Sequence, residues 1–367
     1  MPESYRETVK FTPETVLVDH LGDHGIDAVP LTHYDHFDAA DFDVVHVHHL
    51  SWGAMRAATS TARTPMVFTM HQSSAPRARA ARFVMSRSDA VVALWPEEAV
   101  ALAANYHLDG ARTEVIPNGI DPQVFSFAER TAPAAGEPWR LLFVGQLIAM
   151  KGVDNLLDAV AALKDVLPLD LTLSYHSAAD EAALRVQAER LGISPLVHFA
   201  GAAPQPELSE RYRSAHIAVL PSRTMEALPS AMTEAMLSGC FPVATDVGGI
   251  RQQLGRFGIV LDRSTPDVIA AGIRRAIETY GDHQARAAEM RRVAVERFSV
   301  AAMVRAHASL YRELVAADRR PRRHRGRSRA GTALMNVPLA ITTRNRRRPE
   351  HADTGHDAES KGVALPG

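Results

Sequence analysis

Cysteine is nearly absent from this sequence of 367 residues, which contains one, Cys240. A single thiol cannot form an internal disulfide framework, and it cannot supply the several cysteines of a zinc or iron–sulfur site. The sequence therefore favours a reduced, cytoplasmic setting. No neighbouring His or Asn supports activation of the Cys240 thiol, so we expect this residue to fill space in the core rather than act as a nucleophile.

Long apolar runs are absent as well. No segment contains the roughly 18 consecutive apolar residues that would span a bilayer, and the first thirty residues lack the basic and apolar segments of a signal peptide. We therefore expect neither export nor a membrane span. With 46% hydrophobic and 23% charged residues, 22 Gly and 22 Pro, the composition is typical of a globular protein, and the length accommodates two domains.

An excess of charge of either sign is also absent, since the formal net charge is −1. This balance hides an asymmetry, because residues 319–367 carry a net charge of +8 and the remaining 318 residues sum to −9. The acidic body argues against nucleic acid as a partner. The Arg clusters of 319–367 leave too few apolar residues for folding, so we predict a disordered tail. Such a tail either stays solvated or contacts an anionic membrane peripherally, on its inner face.

Short apolar segments alternate with amphipathic ones along most of the chain, as in the strand-like run 140–144 and the helical pattern 153–163. Strand-like runs that are apolar on both faces and separated by helices predict parallel strands in doubly wound α/β sheets. Turn residues at 117–122 and a small, Pro-rich segment at 129–138 separate two such sheets. The sequence predicts five parts. They are an N-terminal Rossmann-like domain (1–125), a linker (126–138), a second Rossmann-like domain (139–298), a C-terminal helix that crosses back to the first domain (299–318) and the tail (319–367).

Two glutamates, Glu226 and Glu234, follow a predicted strand and are separated by seven residues. The first lies in a loop and the second on a helix that begins at about Pro229, so both carboxylates can face the cleft between the two sheets. The N–H groups of Ser230 and Ala231 at the start of this helix carry partial positive charge and suit a pyrophosphate. Taken alone, two such glutamates are more often solvated surface groups.

The surrounding segment, VLPSRTMEALPSAMTEAMLSGCFPVATDVGGI at 219–250, resembles the nucleotide-sugar domain of the retaining family 4 glycosyltransferases, which have the GT-B fold. The resemblance implies that Glu226 contacts the donor sugar and that Glu234 hydrogen-bonds the ribose hydroxyls. The further donor-binding positions that it implies are Gly145, Gln146, Lys151, Leu228, Ser230 and Ala231.

The segment FVGQLIAMKG at 143–152 is similar to the phosphate loop of the same family, in which an Arg and a Lys neutralise the two phosphates. Lys151 matches this pattern, whereas Gln146 occupies the Arg position and brings no charge. This departure predicts slower transfer rather than lost binding. The resemblance implies catalytic roles for Lys151 and Glu226, and also for His71, which ends a predicted strand of the first domain at the place where the family has a His near the transferred sugar. A structural histidine is the alternative for His71.

The start of the sequence departs from the family. Family members begin with a strand and a glycine-rich loop, whereas residues 15–29 already fit the helix and strand that follow that loop. About thirteen residues precede them, with neither an apolar strand nor a Gly. We therefore expect a first domain without its first strand, and binding of a nucleoside diphosphate with slow transfer or none. A start codon placed too far downstream and decay into a binding protein are the two explanations.

These patterns predict a GT-B glycosyltransferase that moves a sugar from a nucleotide-sugar donor to a hydroxyl-bearing acceptor with retention of the anomeric configuration. The acceptor is expected to be a sugar, a lipid-linked molecule or a small molecule. No essential metal or other cofactor is expected. The alternative is a non-catalytic nucleotide-sugar-binding or partner subunit. A nicotinamide-dependent dehydrogenase is disfavoured because no G-x-G-x-x-G follows a predicted strand. The run His46-Val47-His48-His49 lacks an adjacent Cys or acidic residue, which disfavours a metal site.

Overall fold

The computed structural model describes residues 12–31, 38–50, 52–60, 63–71, 78–106, 108, 112–224, 226–317 and 332–335. These residues form two sheets of six strands each, all neighbouring strands within a sheet being parallel. The predicted doubly wound α/β class is therefore confirmed. Among the described residues, no helix combines the length and apolar character needed to cross a bilayer.

The N-terminal sheet has the strand order β1-β12-β2-β3-β4-β5. Its strands are β1 Ala28–Leu31, β2 Val44–His48, β3 Met66–Thr69, β4 Ala90–Ala93, β5 Arg112–Val115 and β12 Thr332–Met335. The helices of this half are α1 Pro13–His20, α2 Trp52–Thr59, α3 Ala78–Ser86 and α4 Pro96–Tyr106, with 3-10 turns at Leu21–His24 and Ala39–Asp41. Every residue of β2, β3 and β4 is buried, as expected for central parallel strands with helices on both faces.

Strand β12 belongs to the segment that the sequence predicted to be disordered throughout. It pairs with β1 on one side, beginning at Ala28↔Thr332, and with β2 on the other, beginning at Thr332↔Val44. In a doubly wound sheet this place between two strands is usually held by the first strand of the chain. The prediction of a wholly disordered tail is wrong for 332–335, because an apolar run too short to span a membrane is still long enough for a four-residue strand. The rest of the predicted tail lies outside the described residues.

The second sheet has the order β11-β10-β9-β6-β7-β8. Its strands are β6 Trp139–Val144, β7 Leu169–Ser174, β8 Val197–Gly201, β9 Ile217–Leu220, β10 Phe241–Thr245 and β11 Ile259–Leu261. The helices are α5 Val153–Leu163, α6 Glu181–Arg190, α7 Gln205–Ser214, α8 Ser230–Ser238, α9 Ile250–Leu254, α10 Pro266–Glu278 and α11 Tyr280–Phe298, with 3-10 turns at Ala149–Lys151 and Ser194–Leu196. One continuous apolar core fills this half.

The last helix, α12 Val300–Ala317, packs against the N-terminal sheet rather than the second one. Its buried residues Val304, Ala308 and Tyr311 share a core cluster with Val44 of β2 and with Leu17 of α1. Helices α11 and α12 are separated by Ser299, which forms an isolated parallel bridge with Ile120. The chain therefore returns to its first domain after completing the second, at the place where the sequence suggested a crossing helix.

Candidate functional site

Several of the predicted site residues lie on loops at the carboxyl ends of adjacent strands in the second sheet. Strands β9, β6 and β7 are neighbours, so the loops that follow them lie side by side. Gly145 and Gln146 directly follow β6, and Glu226 lies between β9 and α8. Lys151 ends a 3-10 turn, and α5 starts at Val153 after an intervening glycine.

An ion pair joins two of these loops. The Lys151 ammonium donates to Glu226 Oε1 at 2.5 Å, and the Ser222 hydroxyl donates to the same oxygen, also at 2.5 Å. The Lys151 and Glu226 side chains are 18% and 12% exposed, so their attraction is less screened than that of a surface pair. Thr245 of β10 donates from its hydroxyl to the Ser222 carbonyl oxygen at 2.5 Å, which anchors Ser222 in turn. The pair is thus held in place by two further polar groups.

Two glycines allow these loops to approach one another. Gly152 has φ +68°, and a Cβ there would lie 2.2 Å from the Pro221 carbonyl oxygen. Gly248 has φ +58°, and a Cβ there would lie 1.6 Å from the carbonyl oxygen of Glu226. Both positions combine a left-handed backbone with a neighbouring main chain that leaves no room for a side chain. A larger residue at Gly248 would displace the Glu226 loop.

Helix α8 points its N-terminus at this loop cluster. It begins at Ser230, with Pro229 as the N-cap residue rather than the first helical residue that the sequence predicted. The first N–H groups of a helix lack intrahelical acceptors and carry partial positive charge. The Gln253 side-chain amide donates to the Pro229 carbonyl oxygen at 3.0 Å and to Thr233 Oγ1 at 2.8 Å, which fixes the start of the helix. Leu228, just before it, is buried.

Glu234, on the next turn of α8, is a buried carboxyl. It hydrogen-bonds Tyr212 of α7, whose hydroxyl also donates to the Ala231 carbonyl oxygen at 3.0 Å. Burial raises the pKa of Glu234 to about 7, and the smaller, opposite effect of the Tyr212 hydrogen bond does not offset it. Glu226 and Glu234 therefore occupy different environments, the first paired with a cation and the second buried beside a phenol.

The N-terminal half contributes a histidine cluster. His71 follows β3 by two residues, and its Nε2 lies 2.9 Å from Nδ1 of His48. His46, on the same strand as His48, hydrogen-bonds Tyr311 through Nδ1 at 2.6 Å and Thr69 through Nε2 at 2.8 Å. Because both ring nitrogens of His46 are engaged, neither is available to a metal. The described part of the chain contains no group of three or more His, Cys, Asp or Glu arranged to hold a metal ion.

One polar residue of the site, His176, was not predicted. It lies two residues beyond β7, and its Nε2 is 3.4 Å from Nε2 of Gln146. The signal that was available is its position at the carboxyl end of a predicted strand, where doubly wound sheets carry their ligand-binding loops. Cys240 is buried, as the sequence predicted, and burial raises the pKa of its thiol.

Two protein-family models match the chain. The model described as "Glycosyltransferase Family 4" matches residues 18–124, and the model described as "Glycosyl transferases group 1" matches residues 126–293. The first match lies on the N-terminal sheet and its helices, and the second on the second sheet. Together they cover both Rossmann-like halves.

Similar curated proteins include D-inositol 3-phosphate glycosyltransferases of two bacteria. The protein from Geodermatophilus obscurus is 31% identical over 268 residues, an alignment that covers 64% of this chain and 59% of that protein. The one from Catenulispora acidiphila is 32% identical over 273 residues, covering 65% of this chain and 64% of the relative. The chain therefore spans about three fifths of the length of these relatives.

A similar solved structure is that of Anabaena HepE in complex with UDP-glucose, which superposes with a TM-score of 0.62 at 20% sequence identity. The superposition covers 74% of this chain and 79% of HepE. At this level of identity the likeness concerns the fold, and it identifies the pair of Rossmann-like halves as a GT-B arrangement.

Proposed function

This chain belongs to glycosyltransferase family 4, and from that premise we propose that it transfers a sugar from a nucleotide-sugar donor to a hydroxyl group of an acceptor, with retention of the anomeric configuration. The observation that carries the proposal is the cluster of Lys151, Glu226 and the start of α8 at the carboxyl ends of the strands of the second sheet. It combines positive charge for a diphosphate with a carboxylate that can accept hydrogen bonds from sugar hydroxyls.

The proposed roles follow from the environment of each group. Lys151 and the first N–H groups of α8 bind the diphosphate, because both are positive and both border the same loop. Glu226 accepts hydrogen bonds from the donor sugar, since its loop position is fixed by Ser222. Glu234 binds the ribose hydroxyls. Gly145 and Gln146 line the same site from the end of β6.

In the chemical step the bond between the anomeric carbon of the donor sugar and the nucleoside diphosphate breaks, the acceptor hydroxyl oxygen bonds to that carbon on the same face, and the hydroxyl proton passes to the departing diphosphate. Negative charge grows on the departing diphosphate, and preorganised positive groups stabilise that charge more strongly in the transition state than in the ground state. Lys151 and the α8 start supply such groups, so the proposed mechanism requires no metal. Activity that disappears with a chelator and returns with a divalent cation would contradict this part of the proposal.

His71 is proposed to support the transferred sugar from the N-terminal domain. Its hydrogen bond to His48 holds the ring at the carboxyl end of β3, the edge where doubly wound sheets bind ligands. Closure of the two halves about residues 117–122 would then exclude water from the donor and limit its hydrolysis.

The acceptor is proposed to be a small hydroxyl-bearing molecule. Because the similar curated proteins are named for D-inositol 3-phosphate, this compound is the first acceptor to test. A non-catalytic nucleotide-sugar-binding subunit is the second candidate, favoured by the uncharged Gln146 beside Lys151.

The experiment is a thermal-shift screen with UDP, GDP and ADP and their glucose and mannose derivatives. The donor that raises the melting temperature is then incubated with D-inositol 3-phosphate, and NMR of the product reports the anomeric configuration. A product with the configuration of the donor supports the proposal, and one of inverted configuration contradicts it. Binding of a donor without transfer or hydrolysis supports the binding subunit instead.

We further propose a cytoplasmic protein whose Arg-rich C-terminal segment contacts anionic membranes peripherally. Apart from β12 this segment lies outside the described residues, and the support is its net charge of +8 over 319–367. Cosedimentation with phosphatidylglycerol vesicles should be lost as salt rises, because exposed charges are screened beyond about 8 Å at physiological ionic strength. Equal sedimentation with neutral vesicles would contradict an electrostatic contact.

A further inference from the structure

The proposed diphosphate site has less positive charge than its ligand requires. A nucleotide-sugar diphosphate carries two negative charges, whereas the Lys151 ammonium is already bonded to the Glu226 carboxylate at 2.5 Å. Gln146, on the same loop, is uncharged. The Arg223 guanidinium donates to the Ala149 carbonyl oxygen at 2.9 Å and pairs with Asp154 at 2.5 Å, so it is already engaged by the loop that carries Lys151 and by the first turn of α5. The start of α8 adds only partial positive charge, so a further cation beside the diphosphate would strengthen donor binding.

His176 is held beside this site by the backbone. The N–H of Gly145 donates to the Ser174 carbonyl oxygen at 3.1 Å, and that of Leu147 donates to the Ser177 carbonyl oxygen at 2.8 Å. These two bonds lie on either side of Gln146 and His176, and they continue the pairing of β6 with β7 into the loops. The side chains of Gln146 and His176 consequently face each other, with their Nε2 atoms 3.4 Å apart.

The surroundings of His176 favour the neutral form of its ring before a donor binds. Desolvation by the surrounding protein atoms lowers the pKa of His176, although more than a third of the residue is exposed to solvent, and the positive charge of Lys151 lowers it further. Glu226, the other charged group of the cluster, is bonded to Lys151, and Asp180 follows on the loop of His176 itself, with its N–H bonded to the Leu147 carbonyl oxygen at 3.0 Å. An arriving diphosphate would reverse the balance, because two negative charges beside an imidazole favour its protonated form.

Gln146 suits a histidine that changes its protonation state. While the His176 ring is neutral, the side-chain amide N–H of Gln146 donates to the unprotonated Nε2 of His176. After protonation the same amide, rotated by half a turn, offers its oxygen to the new Nε2–H. An Arg at this position would instead repel the imidazolium. Gln146 can therefore hydrogen-bond to both protonation states of the His176 ring, whereas an Arg at position 146 could hydrogen-bond only to the neutral ring.

We propose that His176 is a donor-binding residue that takes up one proton from solvent when a nucleotide-sugar diphosphate binds, and that it thereby supplies the second positive charge of the site. Gln146 orients the imidazolium through its amide oxygen, which leaves the other ring N–H for a phosphate oxygen. The inference rests on the proposed function, since it requires a diphosphate donor, and it adds to that function a specific pH dependence.

The test is calorimetric titration of the full chain with UDP-glucose and GDP-mannose, whose phosphates stay ionised throughout the neutral range. For the donor that binds, wild-type affinity should decrease about tenfold between about pH 6 and about pH 8, with uptake of protons detected by comparing buffers of different ionisation enthalpy. His176→Asn should bind about tenfold more weakly at pH 6, and it should lose both the decrease in affinity with rising pH and the proton uptake. The titration of Glu234, whose pKa is about 7, is common to both proteins and is the background against which they are compared.

Two further variants make the test specific. His198→Asn is the matched control, because His198 is an exposed histidine of the same domain that pairs with Asp170 near the opposite end of β7, and it should titrate like the wild type. Gln146→Arg in the His176→Asn background should restore affinity without restoring the pH dependence.

The outcomes separate the inference from the function on which it rests. Donor binding with the same pH profile and proton uptake in wild type and His176→Asn would overturn the inference and leave the proposed function standing. A wild type that binds neither nucleotide sugar at any pH would overturn both. Loss of the pH dependence in His176→Asn alone, with its recovery of affinity through Gln146→Arg, would support the inference.

Discussion

Two buried glutamates should make the stability of this protein depend on pH in the direction opposite to that of most carboxylates. Burial raises the pKa of Glu234 and of Glu98 from 4.5 to about 7. A carboxyl with a higher pKa in the folded chain binds its proton more tightly there, so folding is penalised where the group is ionised. For each group the penalty is absent below about pH 4.5, grows up to about pH 7 and is constant above it, where it reaches about 3 kcal/mol.

Replacement of either carboxyl by the isosteric amide removes the group that titrates. Glu234→Gln and Glu98→Gln should each raise the free energy of unfolding at pH 8 by about 2–3 kcal/mol and change it little at pH 4.5. Glu98 is a matched control, since it lies in the first turn of α4 and its Oε2 accepts the Leu94 N–H at 2.6 Å, a bond that an amide oxygen can keep. Nucleotide binding should weaken about tenfold or more in Glu234→Gln alone, because a charge-assisted bond to the ribose is lost.

Calorimetric unfolding at pH 4.5 and pH 8, together with titration of each variant with UDP and GDP, measures both effects. A Glu234→Gln variant that is stabilised equally at the two pH values would show that the gain does not come from ionisation. A variant that is less stable than wild type at pH 8 would show that the carboxylate is not penalised by burial. Unchanged nucleotide affinity in Glu234→Gln would remove Glu234 from the ribose.

Three other changes test separate parts of the structure. Lys151→Ala should lower turnover more than donor affinity, because the charge on the departing diphosphate grows in the transition state. Equal losses of turnover and of donor affinity in steady-state kinetics would contradict this. Gly248→Ala should weaken donor binding, since its Cβ would lie 1.6 Å from the Glu226 carbonyl oxygen, whereas Gly22→Ala, with open space around the new Cβ, should bind like wild type in the same titration. Deletion of 331–367 should lower the melting temperature, because β1 and β2 both lose the strand between them. Deletion of 338–367, which leaves β12 in place, should not lower it. Equal melting temperatures for the two deletions would refute a structural role for β12.

Most elements of the fold could be predicted because their signals are local. The helices at Pro96–Tyr106 and Val153–Leu163 have the bounds that periodicity indicates, and β3 at Met66–Thr69 does as well. Strand β12 could not be predicted, since its partners are more than 280 residues away in the sequence and it is flanked by Arg clusters typical of disorder. A four-residue run has too little periodicity of its own to distinguish a strand from a loop.

The candidate site shows the same division. That the carboxyls of Glu226 and Glu234 approach one cleft stays a prediction from their spacing, which depends only on where a strand ends and a helix begins. The pairing of Glu226 with Lys151 and the burial of Glu234 under Tyr212 depend on contacts between loops and helices far apart in the sequence. His176 belongs with Gln146 only because β6 and β7 are adjacent in the sheet, and strand order is not written in either segment.

The N-terminal domain is discontinuous in the chain, and this has a consequence for how the protein is held together. Its core combines Leu17 and Val67 with Val304 and Tyr311, residues that precede and follow the whole second domain. Tyr311 also hydrogen-bonds His46 at 2.6 Å, and His46 lies on β2, the neighbour of the strand β3 that His71 follows. A segment cut at the linker would expose the apolar face that α12 covers and leave His46 without its phenol partner, at a cost typical of an unpaired buried polar group. The last helix therefore contributes to the stability of the first domain, so the folding unit that contains His71 extends at least to the end of α12.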